Sequence, residues 1–246
     1  MRLASKFRFY FSFRSPFAAI AYYRLRRSAL FNEFDIEMIP VWPEIVFGGH
    51  MDNPTDNLFK LAYVFADAAR QAEEAGLSSV YFRSVAKRFK PPKDIDYSKQ
   101  KVGLNMPPED WAVTHHAFLY AQEQGKGWEF GDAVFAHRFD FDGGGSRDVM
   151  DAEVLRAIAT EVGLDADCAS NAQTSGDYEE AQSALVKRGE ADGVFGVPFF
   201  AFDHNEGTEV FWGNDRLPSL YKTLTGARDL PVMDANSLGE IQTRRK

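Results

Sequence analysis

Cysteine is nearly absent from this sequence. The 246 residues include only Cys168, so no disulfide can form within the chain, and a disulfide-framed secreted domain is excluded. A free cysteine usually packs as a small hydrophobic residue, and we predict this for Cys168, within or beside a helix. The low cysteine content favours a reducing compartment.

Long apolar runs are also missing. No segment approaches the roughly eighteen apolar residues that predict a membrane-spanning helix. The opening MRLASKFRFYFSF alternates phenylalanine with other residues, and this differs from the continuous apolar centre of a signal peptide. We therefore expect a cytoplasmic protein without a membrane partner.

Positively charged residues are fewer than negatively charged ones. The chain has 28 lysines and arginines and 36 aspartates and glutamates, for a formal net charge of -8. This balance argues against nucleic acid as a partner and favours a small organic molecule.

Metal-binding patterns are missing as well. His115 and His116 are neighbours that point to different faces of a helix, and the aspartate-rich segment 139–148 lacks the closing glutamate of a calcium loop. We predict no metal site.

The sequence does contain a strand that runs directly into a helix. Phenylalanine occupies every second position from Phe7 to Phe13, and a period of two is typical of a β-strand. Ser15 and Pro16 follow, which are a preferred N-cap and a preferred first helical residue. The next residues, FAAIAYYRLRRSAL, have helix-compatible apolar spacing.

The order of the remaining elements predicts the fold. A second strand is expected from Asp35 to Val41, then an all-helical block from about Asn53 to Gly189. VFGVPFFAFD and TEVFW predict a hairpin that turns at residues 204–207, and LPSLYKTLTG predicts a last helix. This order predicts an α/β fold in which one small sheet carries a large helical insertion. The predicted boundaries are 1–53 and 190–226 for the sheet domain, 54–189 for the insertion and 227–246 for a polar tail.

Three motifs together resemble a known family. They are FYFSFRSPFAAIA near the start, GGHMDNP at 48–54, and GVFGVPFFAFD followed by FWGNDRL near the end. They resemble the disulfide-oxidoreductase-like (DsbA-like) thioredoxin superfamily, in the branch of 2-hydroxychromene-2-carboxylate isomerases and kappa-class glutathione transferases. The resemblance implies a thioredoxin-like fold to about Gly226, and the segment from about Ser78 to Asn105 is longer than the family pattern.

The residue of greatest interest is Ser15. Thiol-disulfide enzymes of this superfamily carry Cys-x-x-Cys where this chain has Ser15-Pro16-Phe17-Ala18, and without a thiolate this site cannot perform disulfide exchange. The resemblance implies that Ser15 donates a hydrogen bond to the sulfur of bound glutathione, or of another small thiol. A helix N-terminus lowers the pKa of such a thiol. Taken alone, Ser15 is explained as an ordinary N-cap.

Val197 and Pro198 form the second part of the expected site. An X-Pro bond is usually trans, and Pro198 could simply begin a strand. The resemblance implies instead a cis bond that faces the helix N-terminus, with the backbone of Val197 pairing with the cysteinyl part of glutathione.

Asn214 and Asp215 precede the last helix, where either residue could act as a cap. A helix start binds anions, and a carboxylate can hold an ammonium group. The resemblance implies that both residues bind the γ-glutamyl end of glutathione. The kappa-class pattern reads Ser-Asp-Arg here, so Asp215 matches the pattern and Asn214 departs from it.

Four further residues are weaker candidates. Asn53 matches an asparagine that reaches the active centre in the family, although Asn-Pro is also an ordinary turn start. His50, Arg14 and Phe17 are candidates for substrate contact, and Arg14 could attract an acidic substrate. A lone loop histidine such as His50 is usually solvated, and the strand position of Arg14 could equally place its side chain in solvent.

These assignments imply a glutathione-dependent isomerase that acts on an unsaturated aromatic or polyketide-like carbonyl compound by reversible thiolate addition. Two alternatives remain open. A kappa-like glutathione transferase would consume glutathione, and a thioredoxin-fold binding protein would have lost the reaction. The resemblance also implies a homodimer.

Overall fold

The computed structural model describes residues 4–41, 58–89 and 112–232. Asn53 and His50 lie outside these residues. The strands are β1 (Lys6–Phe11), β2 (Asp35–Pro40), β3 (Phe199–His204) and β4 (Gly207–Trp212). The helices are α1 (Pro16–Arg26), α2 (Ala29–Glu33), α3 (Leu58–Glu74), α4 (Val80–Arg88), α5 (Ala112–Glu123), α6 (Gly127–Phe139), α7 (Ala152–Glu161), α8 (Cys168–Thr174), α9 (Asp177–Ala191) and α10 (Leu217–Thr225). A short 3-10 turn, Asn214–Arg216, precedes α10.

The four strands form one sheet in the order β2-β1-β3-β4. β1 is parallel to β2, and β3 is antiparallel to both β1 and β4. The sheet therefore joins the β-α-β start of the chain to its β-β-α end. This confirms the predicted α/β class. Because β3 begins beside the end of β1, the start of α1 and the start of β3 lie at the same end of the sheet.

Both faces of β1 are covered. The phenylalanines of β1 are buried, as the alternation predicts, but Arg8 and Tyr10 on the opposite face are buried too. The Arg8 guanidinium donates to Asp192 at 2.5 Å and to Asp203 at 2.6 Å. The Tyr10 hydroxyl donates to the same Asp192 carboxylate at 2.5 Å. Paired carboxylates are what allow a charged side chain to lie inside this sheet.

The first helix is shorter than predicted. One helix was expected over FAAIAYYRLRRSAL, but α1 ends at Arg26 and α2 begins at Ala29. Ser28 between them has an extended backbone, with φ -126° and ψ 164°. Its hydroxyl donates to the Leu25 carbonyl at 2.9 Å. Serine side chains compete for backbone groups in this way, and here the competition ends the helix.

The described parts of the block predicted to be all-helical, from about Asn53 to Gly189, contain α3, α5, α7 and α9. The same block also contains α4, α6 and α8, which the periodicity did not indicate individually. α6 is buried around most of its circumference, including Phe130, Val134 and Phe139. A helix covered on all sides needs no polar face, so it shows no amphipathic pattern.

The helical block shares its core with the sheet. The Gln182 side chain of α9 donates to the Pro40 carbonyl of β2 at 2.7 Å. Phe13, just after β1, packs against Phe135 of α6 with ring centroids 4.9 Å apart. The predicted domain boundaries stay predictions. No helix within the described ranges is long and apolar enough to cross a membrane.

Candidate active site

The turn between β1 and α1 is held by Ser12. Its backbone carbonyl accepts a hydrogen bond from the Ser15 N–H at 3.0 Å. Its hydroxyl oxygen accepts another from the Arg14 N–H at 3.3 Å. Ser12 is buried, so the turn is fixed from inside the protein, while Ser15 and Arg14 remain partly exposed.

Ser15 is the N-cap of α1. Its backbone is extended, with φ -85° and ψ 118°, and its hydroxyl oxygen accepts from the Ala18 N–H at 3.1 Å. Pro16 follows as the first helical residue. Capping uses only one lone pair of the hydroxyl, so its proton can still be donated. The capping role and the donor role predicted for Ser15 are therefore compatible.

The Val197–Pro198 peptide bond is cis. This confirms what the resemblance implied and corrects what proline statistics alone favour. The loop is anchored on both sides. The Pro198 carbonyl accepts from the Gly213 N–H at 3.0 Å, and the Trp212 indole lies so close to Gly196 that a Cβ there would be 2.5 Å from Nε1. Glycine is required at this approach.

The structure brings Ser15 and Val197 together. The Ser15 hydroxyl donates to the Val197 carbonyl across 3.4 Å, which is a long hydrogen bond. Val197 is partly exposed beside it. The helix N-terminus and the cis-proline loop thus meet at one hydroxyl group, as the resemblance implied.

Asn214 is almost entirely buried, at 3% exposure. Its Oδ1 accepts from Arg24 Nη1 of α1 at 2.7 Å, and its Nδ2 donates to Gln71 Oε1 of α3 at 2.8 Å. Sequence reasoning missed Arg24 and Gln71, because nothing in the sequence indicates that three distant segments meet here. Asn214 joins these segments, and only one donor and one acceptor site of its amide are left for a ligand.

Asp215 differs from its neighbour in being exposed. Its carboxylate lies 3.3 Å from the Arg216 guanidinium at the surface, and it folds back over Gly213. A Cβ at Gly213 would collide with the Asp215 carboxylate oxygen. Gly213 also has φ 108°, so both its conformation and its surroundings require glycine.

Phe13, two residues before Ser15, packs against the helical block. Its ring centroid lies 5.5 Å from that of Phe118 and 5.8 Å from that of His115, both in α5. Burial, followed by the charge of His116, lowers the pKa of His115 to about 3. His115 is therefore neutral at physiological pH. Phe17 is partly exposed on the first turn of α1.

The fold and these contacts agree with a family match. The DSBA-like thioredoxin domain model matches residues 7–225. The chain belongs to this family. The match includes both ends of the sheet, the helical block and every described residue of the site.

Curated relatives of this DsbA-like chain carry one name. A 2-hydroxychromene-2-carboxylate isomerase of Sphingobium xenophagum is 30% identical over 86% of this chain and 94% of that protein. An isomerase of the same name from Pseudomonas putida is 27% identical over 85% of this chain and 89% of that protein. A solved structure of 2-hydroxychromene-2-carboxylate isomerase superposes with a TM-score of 0.64 at 22% identity, covering 89% of this chain and 93% of that chain.

The two positions that carry cysteine in the Cys-x-x-Cys motif of the superfamily have no sulfur in this DsbA-like chain. Residues 15 and 18 are serine and alanine, and Cys168 is fully buried as the first residue of α8. This confirms the packing predicted for Cys168. The aspartate-rich segment follows the last residue of α6, Phe139, as a loop in which Asp140 and Asp142 accept hydrogen bonds from the N–H groups of Gly145 and Gly144. No group of three metal-ligating side chains occurs in the parts of the chain that the structure describes.

Proposed function

We propose that this chain is a glutathione-dependent isomerase that acts on an unsaturated aromatic or polyketide-like carbonyl compound. The observation that carries the proposal is the Ser15 hydroxyl, which caps α1 and reaches the Val197 carbonyl in a site without cysteine. The isomerase name of the curated relatives supports the class of reaction.

The residues at the site fit the parts of glutathione. The partly exposed Val197 backbone suits the cysteinyl part, which can pair with a backbone amide and carbonyl. The exposed Asp215 carboxylate suits the γ-glutamyl ammonium group. The start of α1 suits a thiolate, because the first N–H groups of a helix have no partner within it. Asn214 would hold Asp215 in place through its contacts with Arg24 and Gln71.

When bound, glutathione would supply a thiolate that adds to an unsaturated carbon beside a carbonyl and later leaves, so that the former double bond can rotate. Ser15 would hold this thiolate. Its proton, directed at the Val197 carbonyl over 3.4 Å, would turn to the sulfur when the Val197 carbonyl pairs with the ligand backbone. Ala18 N–H keeps the hydroxyl oxygen in place during this change.

The required effect on the thiol is modest. A thiol with a pKa near 8.5 is only about 3% ionised at pH 7. Lowering its pKa by about 2 units makes it mostly thiolate and corresponds to about 2.7 kcal/mol. One hydrogen bond to a charge contributes about 1.5–3 kcal/mol, and a helix N-terminus about 0.3–1 kcal/mol. Together, Ser15 and α1 can supply this shift.

The test is calorimetric titration of glutathione, combined with the pH dependence of thiolate absorbance in the complex. We expect the wild-type protein to bind glutathione with a lowered thiol pKa. Ser15→Gly retains a fair cap but loses the donor, so the thiol pKa should rise by about 1–2 units. Ser15→Asp retains the cap but places a negative charge beside the sulfur, and the thiol pKa should rise further.

Ser15→Thr is the matched control, because it keeps both the hydroxyl group and the cap. Equal thiol pKa values in the wild type and Ser15→Gly would rule out the donor role. Net consumption of glutathione with an electrophile would indicate a transferase, since an isomerase returns its thiol. The absence of glutathione binding, with binding of another small thiol, would change the cofactor and leave the role of Ser15 intact. A cytoplasmic, dimeric protein is part of the same proposal.

A further inference from the structure

A line of hydrogen-bonded polar side chains joins the Asp215 turn to the helical insertion. Gln71 Nε2 donates to Asp67 Oδ2 at 2.6 Å, and both residues belong to α3. Asn214 Nδ2 donates to Gln71 Oε1 at 2.8 Å. Arg24 Nη1 of α1 donates to Asn214 Oδ1 at 2.7 Å. We call Asp67, Gln71, Asn214 and Arg24 the amide network.

Opposite charges at the two ends of the amide network fix the direction of both amides. An arginine can only donate hydrogen bonds, and a carboxylate can only accept them. The Asn214 atom that faces Arg24 must therefore be its oxygen, and the Gln71 atom that faces Asp67 must be its nitrogen. With both ends set in this way, the Gln71 oxygen meets the Asn214 nitrogen, so every hydrogen bond of the network has a donor and an acceptor.

Asp67 is itself held in one orientation. Its Oδ1 accepts from Nη2 of Arg70, three positions later in α3, at 2.8 Å, so Oδ2 is the oxygen that receives Gln71. Asp67 and Gln71 are four positions apart, which places them on one face of the helix. The Asp67 side chain is 23% exposed and Asn214 is 3% exposed. The network therefore leads from the surface of α3 to a buried amide.

The buried end of the amide network directly precedes the exposed Asp215. The network leaves one N–H and one oxygen lone pair of the Asn214 amide for a ligand. A reversed amide would place the Asn214 nitrogen against the Arg24 guanidinium, where two donors would face each other. The network therefore sets which atoms of Asn214 a ligand meets and holds the turn that carries Asp215.

We propose that Asp67 and Gln71 are positioning residues for the γ-glutamyl end of glutathione. They act through Asn214, because their hydrogen bonds hold its amide and the Asp215 turn in the orientation that receives this group before it binds. The inference rests on the proposed function for the identity of the ligand, whereas the network itself exists without one. It assigns part of the selectivity for a γ-glutamyl thiol to the helical insertion.

Two substitutions break the contact between Asp67 and Gln71 from opposite sides. Gln71→Glu can still accept from Asn214, but it places a second carboxylate against Asp67, where two acceptors of like charge repel. Asp67→Asn keeps an oxygen for Arg70 and turns its new amide nitrogen towards the Gln71 nitrogen, so two donors face each other. In the double variant the new amide nitrogen donates to the new carboxylate. The double variant also keeps the net charge of the wild type.

The test titrates glutathione and N-acetylcysteinylglycine by calorimetry. The second ligand keeps the cysteinyl and glycyl parts and lacks the charged end of the γ-glutamyl group. We expect each single variant to bind glutathione about tenfold more weakly than the wild type, and the double variant to bind it within about twofold of the wild type. N-acetylcysteinylglycine should bind equally to all four proteins, and the pKa of the bound glutathione thiol should stay unchanged.

Gln124→Glu is the matched control, because it introduces the same charge at an exposed glutamine after α5. The inference is overturned if Gln71→Glu binds glutathione as tightly as this control, or if the double variant regains no affinity. It is also overturned if N-acetylcysteinylglycine loses as much affinity as glutathione, which would make the network purely structural. In these cases, a wild type that binds glutathione with a lowered thiol pKa would leave the proposed function standing.

Urea unfolding without glutathione tests the amide network separately from the ligand. The double variant should regain the stability that Gln71→Glu and Asp67→Asn each lose. A double variant no more stable than Gln71→Glu would overturn the inference, whatever the wild type binds. A wild type that fails to bind glutathione would overturn the proposed function, and this inference with it.

Discussion

Asn214 Oδ1 and Arg24 Nη1 are 2.7 Å apart, although 190 positions separate the two residues in the sequence. This hydrogen bond joins the turn that carries Asp215 to α1, the helix that Ser15 caps. The same arginine also donates to the Gln71 carbonyl of α3. The buried Asn214 amide and the Arg24 guanidinium group therefore fix the position of the Asp215 turn relative to α1 in the candidate glutathione site.

Arg24→Met should weaken glutathione binding without changing the pKa of the bound thiol. The change removes the partner of Asn214 and loosens the Asp215 turn, while Ser15 and the start of α1 stay in place. We expect a loss of affinity of about fivefold to thirtyfold, which corresponds to a hydrogen bond of about 1–2 kcal/mol. Calorimetry gives the affinity and thiolate absorbance the pKa. Arg156→Met, at a partly exposed arginine of α7 that pairs with Asp167, is the control. A shifted thiol pKa in Arg24→Met would contradict this separation of roles.

Gly213→Ala should destabilise the protein by more than backbone strain alone. Gly213 has φ 108°, and a Cβ there would also meet the Asp215 carboxylate. Gly143→Ala is the matched control, because Gly143 has φ 77° and nothing within 4 Å of its Cβ position. We expect the control to cost about 1 kcal/mol and Gly213→Ala about 2–4 kcal/mol in urea unfolding. Adding Asp215→Ala should recover part of the difference. Equal losses of unfolding free energy in Gly213→Ala and Gly143→Ala would show that the Asp215 carboxylate moves away from residue 213 without cost.

His115 should make the fold sensitive to acid. Its pKa is lowered to about 3 in the folded protein, whereas an unfolded histidine has a pKa near 6.5. Between about pH 6.5 and pH 3 the unfolded chain binds a proton that the folded chain does not, so stability falls as the pH falls. The slope from this residue approaches about 1.4 kcal/mol per pH unit.

The measurement is the free energy of unfolding in urea across this pH range. His115→Phe should reduce the slope of this free energy against pH by nearly the amount that one proton contributes. An unchanged slope in His115→Phe would show that the folded protein admits the charge.

Asp192→Asn should cost more stability than Asp203→Asn. Both carboxylates pair with the buried Arg8, but the Asp192 side chain is 12% exposed and that of Asp203 is 62% exposed. Asp192 also accepts from the Tyr10 hydroxyl. Breaking a buried pair leaves an uncompensated charge and typically costs about 3–5 kcal/mol, whereas exposed pairs contribute about 0–1 kcal/mol. Thermal unfolding of the two variants tests the order, and a reversed order would refute it.

The local elements of this fold follow from short-range patterns. The alternating phenylalanines of β1, the Ser15-Pro16 start of α1 and the hairpin at residues 204–207 each depend on contacts within a few residues, so periodicity and capping chemistry predict them. The motifs also indicated the family, and through it the cis bond at Pro198. Short-range patterns failed for α6, where burial on all sides removes the amphipathic signal, and at Ser28, where a single hydroxyl ends a helix.

The sequence by itself indicated the strands at both ends of the chain and the Ser15-Pro16 start of α1, and it shows that no cysteine stands at that start. Only the tertiary structure decided that the Ser15 hydroxyl meets Val197, that Asn214 is enclosed by Arg24 and Gln71, and that Arg8 lies buried between two aspartates. The physical reason is distance along the chain. A hydrogen bond between residues some 180 positions apart exists only after the sheet and the insertion have packed, and no local pattern encodes which donor will then face which acceptor.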